Sequence, residues 1–387
     1  MKKICIITPM FMPVPAVLGG GIENLITALL NQNELNDKFK FTVYTTPHPN
    51  IKNNYKNSNI KQIELNFFVK IIKKIINKIF NILKIEKYYD FNSILYKKIA
   101  KRIKKEQYDY LLVENNMQLY KTIYKHNKDK KIIFHLHNDL NLIDKTEEDY
   151  KFINNTAYKI LVISNYLKER LNKVEKTEKI EVFSNAIDAN KYLNHKANQE
   201  KLAELKVKYN INDNDKIIGY VGRIDPEKGL LELIKAFNLL DKKNVKLLLV
   251  CDNYMNIKYI KGHTKKLYKE TEKNSNIVIT GRIEYEQIID YYDLIDILVI
   301  PTICQEAFGL VALEGKALKK RIIYTDSGAM PEILSDKIYK KIPLNKDIVN
   351  NLYKAMNEEL SKDIKINKKT NIQGFEEYYE NFSKVIK

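Results

Sequence analysis

Two acids eight positions apart, Glu306 and Glu314, bracket the stretch Glu306-Ala-Phe-Gly-Leu-Val-Ala-Leu-Glu314, which follows the apolar run Ile297-Leu-Val-Ile300. The pattern predicts a strand leading straight into a helix. On a helix, eight steps of about 100° bring the second acid to within about 80° of the first and about two turns further along the axis, so both acids can face one cleft. Phe308, Gly309 and Leu310 then fall in the first turn, where free backbone N–H groups and the helix dipole favour an anion such as a diphosphate. Taken alone, two such acids are more often a solvated helix face. Their context decides the matter.

That context lies upstream, in Ile217-Ile-Gly-Tyr-Val-Gly-Arg-Ile-Asp-Pro-Glu-Lys-Gly229: a buried strand, a turn with Gly222 and Pro226, and a helix from Leu230. Arg223 and Lys228 cap the strand. A planar guanidinium and a mobile ammonium five residues apart suit the neutralisation of a diphosphate held from its other side by helix N–H groups. In open parallel sheets ligands bind outside the carboxyl ends of the strands, and both the cations and the acids fall at such ends.

The elements that must position these residues follow from the rhythm of the chain. Strand-like runs at Ile4–Thr8, Phe41–Thr45, Tyr110–Val113, Ile132–His135, Ile160–Ile163 and Ile180–Phe183 alternate with helical patterns in the first half. Ile217–Val221, Lys246–Val250, Ile277–Thr280, Ile297–Ile300 and Ile322–Thr325 continue the alternation in the second. An α/β protein with two parallel sheets, each covered by helices, is expected. At 387 residues the chain exceeds what one core usually covers. The polar segment 185–215 reads as a connection between domains. Its Asp213-Asn-Asp215, the only D-x-D in the chain, precedes a strand instead of following one, which suits turn chemistry better than a metal site. Near the end, Phe375, Tyr378, Tyr379 and Phe382 share one face of a helix.

With these residues in view, the chain resembles the retaining glycosyltransferases of the GT-B architecture, specifically glycosyltransferase family 4. The motifs that carry the resemblance run in order through most of the sequence: Gly20-Gly21-Ile22-Glu23, Asn185-Ala-Ile-Asp188, Gly222-Arg223 with Lys228, Gly281-Arg-Ile283, Glu306 to Glu314, and Ser327-Gly-Ala-Met-Pro-Glu332. Two departures stand out. Ala186 occupies a position that is usually glycine, and a Gly-x-Pro step is missing near Lys319-Lys-Arg321. The resemblance implies two Rossmann-like domains facing across a cleft: an acceptor-side domain of residues 1–184 plus 372–387, the connection 185–215, and a nucleotide-sugar-binding domain of residues 216–371. It also implies sugar transfer from a nucleotide-diphosphate donor, UDP-linked, with retention, no cofactor and no obligatory metal. Arg223 and Lys228 would then stabilise the leaving diphosphate with the Phe308, Gly309 and Leu310 amides. Glu306 would contact the donor sugar and Glu314 the ribose, while the backbone at Arg282 and Ile283 would face the base. Gly20 and Gly21 would let the backbone approach the donor. A chain of this architecture kept as a coat or scaffold protein, or a transferase acting on a soluble acceptor, is the alternative.

His135-Leu-His137 closes the run Ile132–Phe134, and His-x-His can bind metal when a third ligand is near. No cysteine or acid stands at a matching spacing, so no metal is expected there. By resemblance His137 positions substrate, with His135 as a substitute. The glycines at 19–21 do not complete G-x-G-x-x-G, which argues against a nicotinamide-dependent oxidoreductase.

Charge adds a second clue. Residues 1–184 carry 32 basic against 19 acidic residues, and the remainder 34 against 29, so most of the net charge of +18 belongs to the first domain. Its concentration is the stretch Phe67–Lys84, where Lys70, Lys73, Lys74 and Lys78 share one side at helical spacing opposite Ile71, Ile72, Ile75, Ile76, Ile79, Phe80 and Leu83. Such a helix suits an anionic membrane surface. Since the resemblance puts the acceptor on the first domain, the expected acceptor is membrane-associated, with a polyprenyl-diphosphate-linked saccharide in capsule, exopolysaccharide or O-antigen synthesis as the leading candidate. Nucleic acid is not expected as a partner, because no helix-turn-helix, zinc-finger or RNP pattern accompanies the charge. Cys5, Cys251 and Cys304 form no CxxC pair and read as buried thiols. The opening Met-Lys-Lys-Ile-Cys-Ile-Ile reads as a first strand and not a signal peptide. A cytoplasmic protein, peripheral at the inner face of the plasma membrane, is the expected localisation.

Overall fold

Parallel strands buried on both faces read as apolar runs, and the described residues hold thirteen parallel strands, most of them of this kind. In the computed structural model, which describes residues 1–65, 92–139, 146–251, 262–364, 366 and 370–386, these are β1 (Lys2–Ile7), β2 (Phe39–Thr45), β3 (Ser58–Gln62), β4 (Tyr110–Glu114), β5 (Ile132–Leu136), β6 (Lys159–Val162) and β7 (Ile180–Val182), then β8 (Lys216–Val221), β9 (Val245–Val250), β10 (Ile277–Ile279), β11 (Ile297–Ile300), β12 (Arg321–Thr325) and β13 (Lys340–Ile342). They form two sheets, ordered β3-β2-β1-β4-β5-β6-β7 and β10-β9-β8-β11-β12-β13, and every pairing is parallel. The central strands are buried end to end, as in Tyr110–Glu114 and Val245–Val250.

The chain divides into two compact units, Met1–Ser184 with Phe375–Lys387, and Asn185–Gly374. The segment 185–215, expected as a connection with one short helical piece, is structured along much of its length. It carries the helices Ala189–Leu193 and Gln199–Lys208 and belongs to the second unit, where Tyr192 and Leu205 are buried. Its polar composition reflects helices that bury one narrow face. In the second unit, helix Leu230–Phe237 places Leu230, Leu233, Ile234 and Phe237 in a core shared with Leu247, Leu249, Val299 and Ile323. In the first unit, helix Phe375–Val385 buries Tyr378, Tyr379 and Phe382 against Phe39, Phe41 and Phe183. There the Tyr379 hydroxyl donates to Asn33 Oδ1 at 2.7 Å.

Each sheet reverses its strand order once, between β1 and β4 in the first unit and between β8 and β11 in the second. A crevice at the carboxyl ends of the strands is the geometric consequence of such a reversal, and in open α/β sheets it is where ligands sit. Among the described residues no helix is long and apolar enough to cross a membrane. Lys70, Lys73, Lys74 and Lys78 lie outside the described residues.

Candidate functional site

In the second unit the loops after β8 and β11 are fastened to each other. Asp225 caps the short 3-10 turn Pro226–Lys228 by accepting from the Glu227 N–H. Gly229 ends the turn with φ of 66°, and a side chain there would begin 1.9 Å from the Pro301 carbonyl oxygen, so only glycine fits. The Ile303 N–H donates to the Glu227 carbonyl at 2.9 Å. These contacts bring Lys228 Nζ to 2.5 Å from Glu306 Oε2, with the two side chains 27% and 17% exposed. The Glu306 backbone is fixed from the loop after β12: its N–H donates to Ser327 Oγ at 3.1 Å, and its carbonyl accepts from the Ala329 N–H at 2.8 Å. Gly328 sits so close that a Cβ would lie 2.1 Å from the Glu306 carbonyl oxygen.

The helix starts later than the spacing of the two acids implied. It runs Leu310–Ala317, capped by Gly309 at φ 116°, a backbone conformation that cannot continue a helix. Glu306 and Phe308 therefore lie in the loop and Gly309 at the cap, and the helical-wheel relation between Glu306 and Glu314 does not hold. The free donors shift accordingly. Ala312 and Leu313 N–H turn back to the Gly309 carbonyl, which leaves Leu310 and Val311 at the helix start. Glu314 is buried on this helix and accepts from the Tyr292 hydroxyl at 2.7 Å. Burial pushes its carboxyl above the usual carboxylate range, against the opposing pull of Tyr292, Tyr192 and Lys191.

The two cations are held differently. Arg223 is 81% exposed and only 3.8 Å from Asp225, its nearest carboxylate, whereas Lys228 is tied to Glu306. Arg282 is also exposed, 3.8 Å from Glu284, and Ile283 is half-buried in the loop after β10.

In the first unit, the loop after β1 ends in Gly20, which precedes helix Gly21–Asn36 with φ of 106°. Glu23 on that helix is buried, and its carboxyl is raised by burial and by the nearby Glu114. Glu114, the last residue of β4, pairs in register with His135 on β5. Both His135 Nδ1 and His137 Nε2 lie 3.0 Å from Glu114 Oε2. Sequence spacing alone showed no acid near these histidines; strand register supplies one. The three side chains could in principle meet a divalent cation, since their ligand atoms lie within 4.8 Å of one another. The imidazole N–H groups hold the Glu114 carboxyl down at about 2 despite full burial, and burial pushes His137 down to about 4.

Comparison with known proteins places this arrangement. The family model described as glycosyl transferases group 1 matches residues 202–375. The lipopolysaccharide 1,2-N-acetylglucosaminetransferase of Salmonella typhimurium is 27% identical over 67% of this chain and 66% of its own length. The capsular polysaccharide biosynthesis glycosyltransferase CapM of Staphylococcus aureus is 32% identical over 46% of each chain. The chain thus spans from about half to just under two thirds of these relatives. Among solved structures, the sucrose-phosphate synthase of Thermosynechococcus elongatus superposes with a TM-score of 0.73 at 16% identity over 100% of this chain and 96% of that one. Anabaena HepE, solved with UDP and glucose, gives 0.68 at 14% over 99% and 95%. Residues 202–375 form a glycosyl transferases group 1 domain, and the two parallel sheets are those of the GT-B architecture.

Proposed function

We propose that the protein transfers a sugar from a UDP-linked donor, with retention and without a metal, to a membrane-associated, polyprenyl-diphosphate-linked saccharide in capsule, exopolysaccharide or O-antigen synthesis. The observation that carries the reading is the Lys228–Glu306 pair beside the helix start at the β8–β11 reversal: a cation and an acid fixed side by side, with the first-turn amides of Leu310 and Val311, unpartnered among the described residues, four residues further on. Arg223 and Lys228 neutralise the charge that grows on the departing diphosphate, and the Leu310 and Val311 amides add donors that need no reorganisation. Loss of one such preorganised donor typically costs about 10²–10³ in rate. Glu306 receives hydroxyls of the donor sugar and Glu314 those of the ribose. The backbone at Arg282 and Ile283 meets the base, Gly20 and Gly21 approach the donor, and His137 positions the sugar.

The relatives in lipopolysaccharide and capsule assembly support the class of acceptor, and the charge of the first 184 residues supports a membrane surface. Hydrolysis and transfer with a panel of nucleotide sugars, with and without a polyprenyl-diphosphate saccharide, test the reading. Transfer to the lipid-linked saccharide from a UDP-sugar is expected, and absence of turnover with every donor would leave a scaffold. Replacing Lys70, Lys73, Lys74 and Lys78 by Gln should remove most of about 4 kcal/mol of attraction to anionic vesicles. Unchanged vesicle binding at low salt would remove the charge argument for a membrane acceptor.

A further inference from the structure

We propose that Glu114 and His135 lock His137 in the tautomer protonated at Nε2, so that its Nδ1 is held as a hydrogen-bond acceptor for a hydroxyl of the bound sugar. The lock stands on geometry alone; its use on a sugar rests on the transferase reading above.

Three buried atoms converge here: Glu114 Oε2, His135 Nδ1 at 3.0 Å, and His137 Nε2 at 3.0 Å, with the two nitrogens 3.1 Å apart. Were one ring to accept from the other, its lone pair would face an anionic oxygen at 3.0 Å away from water, a repulsion the site has no means to screen. With both nitrogens protonated and aimed at Oε2, the carboxylate accepts twice and neither lone pair faces it. His135 gives independent support. Its Nε2 is fully buried with no hydrogen-bond partner among the described residues, beside the ring of Phe183. A bare lone pair there is tolerable, whereas an orphaned buried N–H is the rarer and costlier state. His135 must then carry its proton on Nδ1, as the double-donor arrangement requires.

A metal ion in the triangle would demand the opposite. Both facing nitrogens would have to be bare, which puts the His135 proton on the buried Nε2 with no outer acceptor to receive it, contrary to how ligating histidines are supported. The two occupants of the triangle therefore predict opposite tautomers.

The backbone completes the lock. The His137 N–H donates to Asn115 Oδ1 at 2.9 Å, and the Asn115 N–H donates to the His135 carbonyl at 2.8 Å. Among the described residues Nδ1 of His137 has no hydrogen-bond partner. Glu23 and Tyr378 also feel the Glu114 charge, and burial keeps the His137 ring neutral at neutral pH. With Nε2 committed to Glu114, Nδ1 is the ring atom left to bind, and a bare nitrogen asks for an O–H or N–H donor.

The test is nitrogen NMR of the full chain labelled in its six histidines, with His137 assigned through its loss in His137→Gln. The expected result at pH 7 is a protonated Nε2 and a bare Nδ1 for His137, with a tautomer mixture in Glu114→Gln. That mixture should accompany a fall in kcat/KM for the nucleotide sugar of about 10–100-fold, with UDP affinity within about twofold of wild type. A proton on Nδ1 in the wild type, or stoichiometric zinc by elemental analysis, overturns the lock. Wild-type transfer by Glu114→Gln, with the mixture observed, overturns the sugar contact. If the wild type turned over no nucleotide sugar, the transferase reading would fall and the spectrum would still decide the tautomer.

Discussion

Removing the carboxylate of Glu306 while keeping its shape should make the protein bind UDP more tightly and transfer sugar more slowly. Glu306→Gln leaves the loop intact, because Ser327 and Ala329 hold the residue through its backbone N–H and carbonyl. What it changes is the partner of Lys228. In the free protein that ammonium is 2.5 Å from Glu306 Oε2, and neither side chain is more than about a quarter exposed. A charge-assisted contact of this partly buried kind is worth about 1–2 kcal/mol, and a diphosphate that recruits Lys228 must first displace it. In the Gln variant most of that opposition is absent, so the gain should be about 1 kcal/mol, about fivefold in Kd. Transfer should fall by about 10², since the sugar loses a partner made in the transition state.

Calorimetry with UDP at fixed ionic strength reads the first effect, and single-turnover transfer the second. Uridine, which has no phosphate to recruit Lys228, should show no gain and serves as the control. If the variant melts like wild type yet binds UDP equally or more weakly, then Lys228 either keeps its pair in the complex or never meets the diphosphate. Either outcome removes Lys228 from the clamp as argued.

Arg223→Ala should act with the opposite sign on UDP, weakening it and lowering turnover by about 10² or more; its side chain is 81% exposed, so an unchanged melting temperature with unchanged turnover would refute the assignment. Glu314→Ala should weaken UDP and UMP alike in calorimetry and, by leaving the buried Tyr292 hydroxyl without its acceptor, cost about 1–3 kcal/mol of stability; weakening of UDP alone would contradict a ribose contact. Transfer should survive excess chelator in full, and a requirement for added manganese or magnesium would refute metal independence. Acid should destabilise the fold in two stages with one sign. Unfolded His137 takes its proton near the ordinary 6.5 while the folded ring waits until about 4, so stability falls as pH drops through that window. Glu114, held at about 2 against an ordinary 4.5, removes more below 4.5. Urea midpoints that do not fall between pH 7 and 4, or that fall equally in His137→Gln, would argue against the first stage.

The sheets were legible because buried strands leave β-rich, mainly apolar runs, and eleven such runs coincide with β1, β2 and β4 to β12. The two strands without a run, Ser-Asn-Ile-Lys-Gln at β3 and Lys-Lys-Ile at β13, are sheet edges with a single neighbour, where polar residues are tolerated and useful. That Arg223, Lys228 and Glu306 lie in the loops after β8 and β11 was legible from their position behind apolar runs. The helix start was not, because one glycine at φ 116° decides it and composition around Gly309 reads equally well as a first turn. Glu114 was out of reach for another reason: its partner is twenty-one residues away, and only the register of β4 against β5 makes them neighbours. Lys319 shows a third case. Where a Gly-x-Pro step is missing, the chain turns with lysine in the left-handed region at φ 55°, which the residue types did not announce.

The buried carboxylates divide by what faces them, and the division bears on which of them a ligand can use. Burial alone pushes a carboxyl up, and the direction reverses where donors converge on it. Glu114 is reversed by two imidazole N–H groups, so its charge is already satisfied by the protein and its part is to orient His137. Glu314 is not reversed: a phenol hydroxyl from Tyr292 lowers it, but burial still wins. A hydroxyl donor can therefore improve its situation, and a ribose presents two of them in the geometry of a carboxylate's free lone pairs. A sugar hydroxyl offered to Glu114 would gain little, because it would have to displace an imidazole N–H. On the proposed reading a ribose therefore meets Glu314, and the bare nitrogen of His137 is left for a sugar hydroxyl. On the same reading the donor's doubly charged diphosphate meets Arg223, which is 81% exposed with Asp225 3.8 Å away, and Lys228, which Glu306 holds at 2.5 Å.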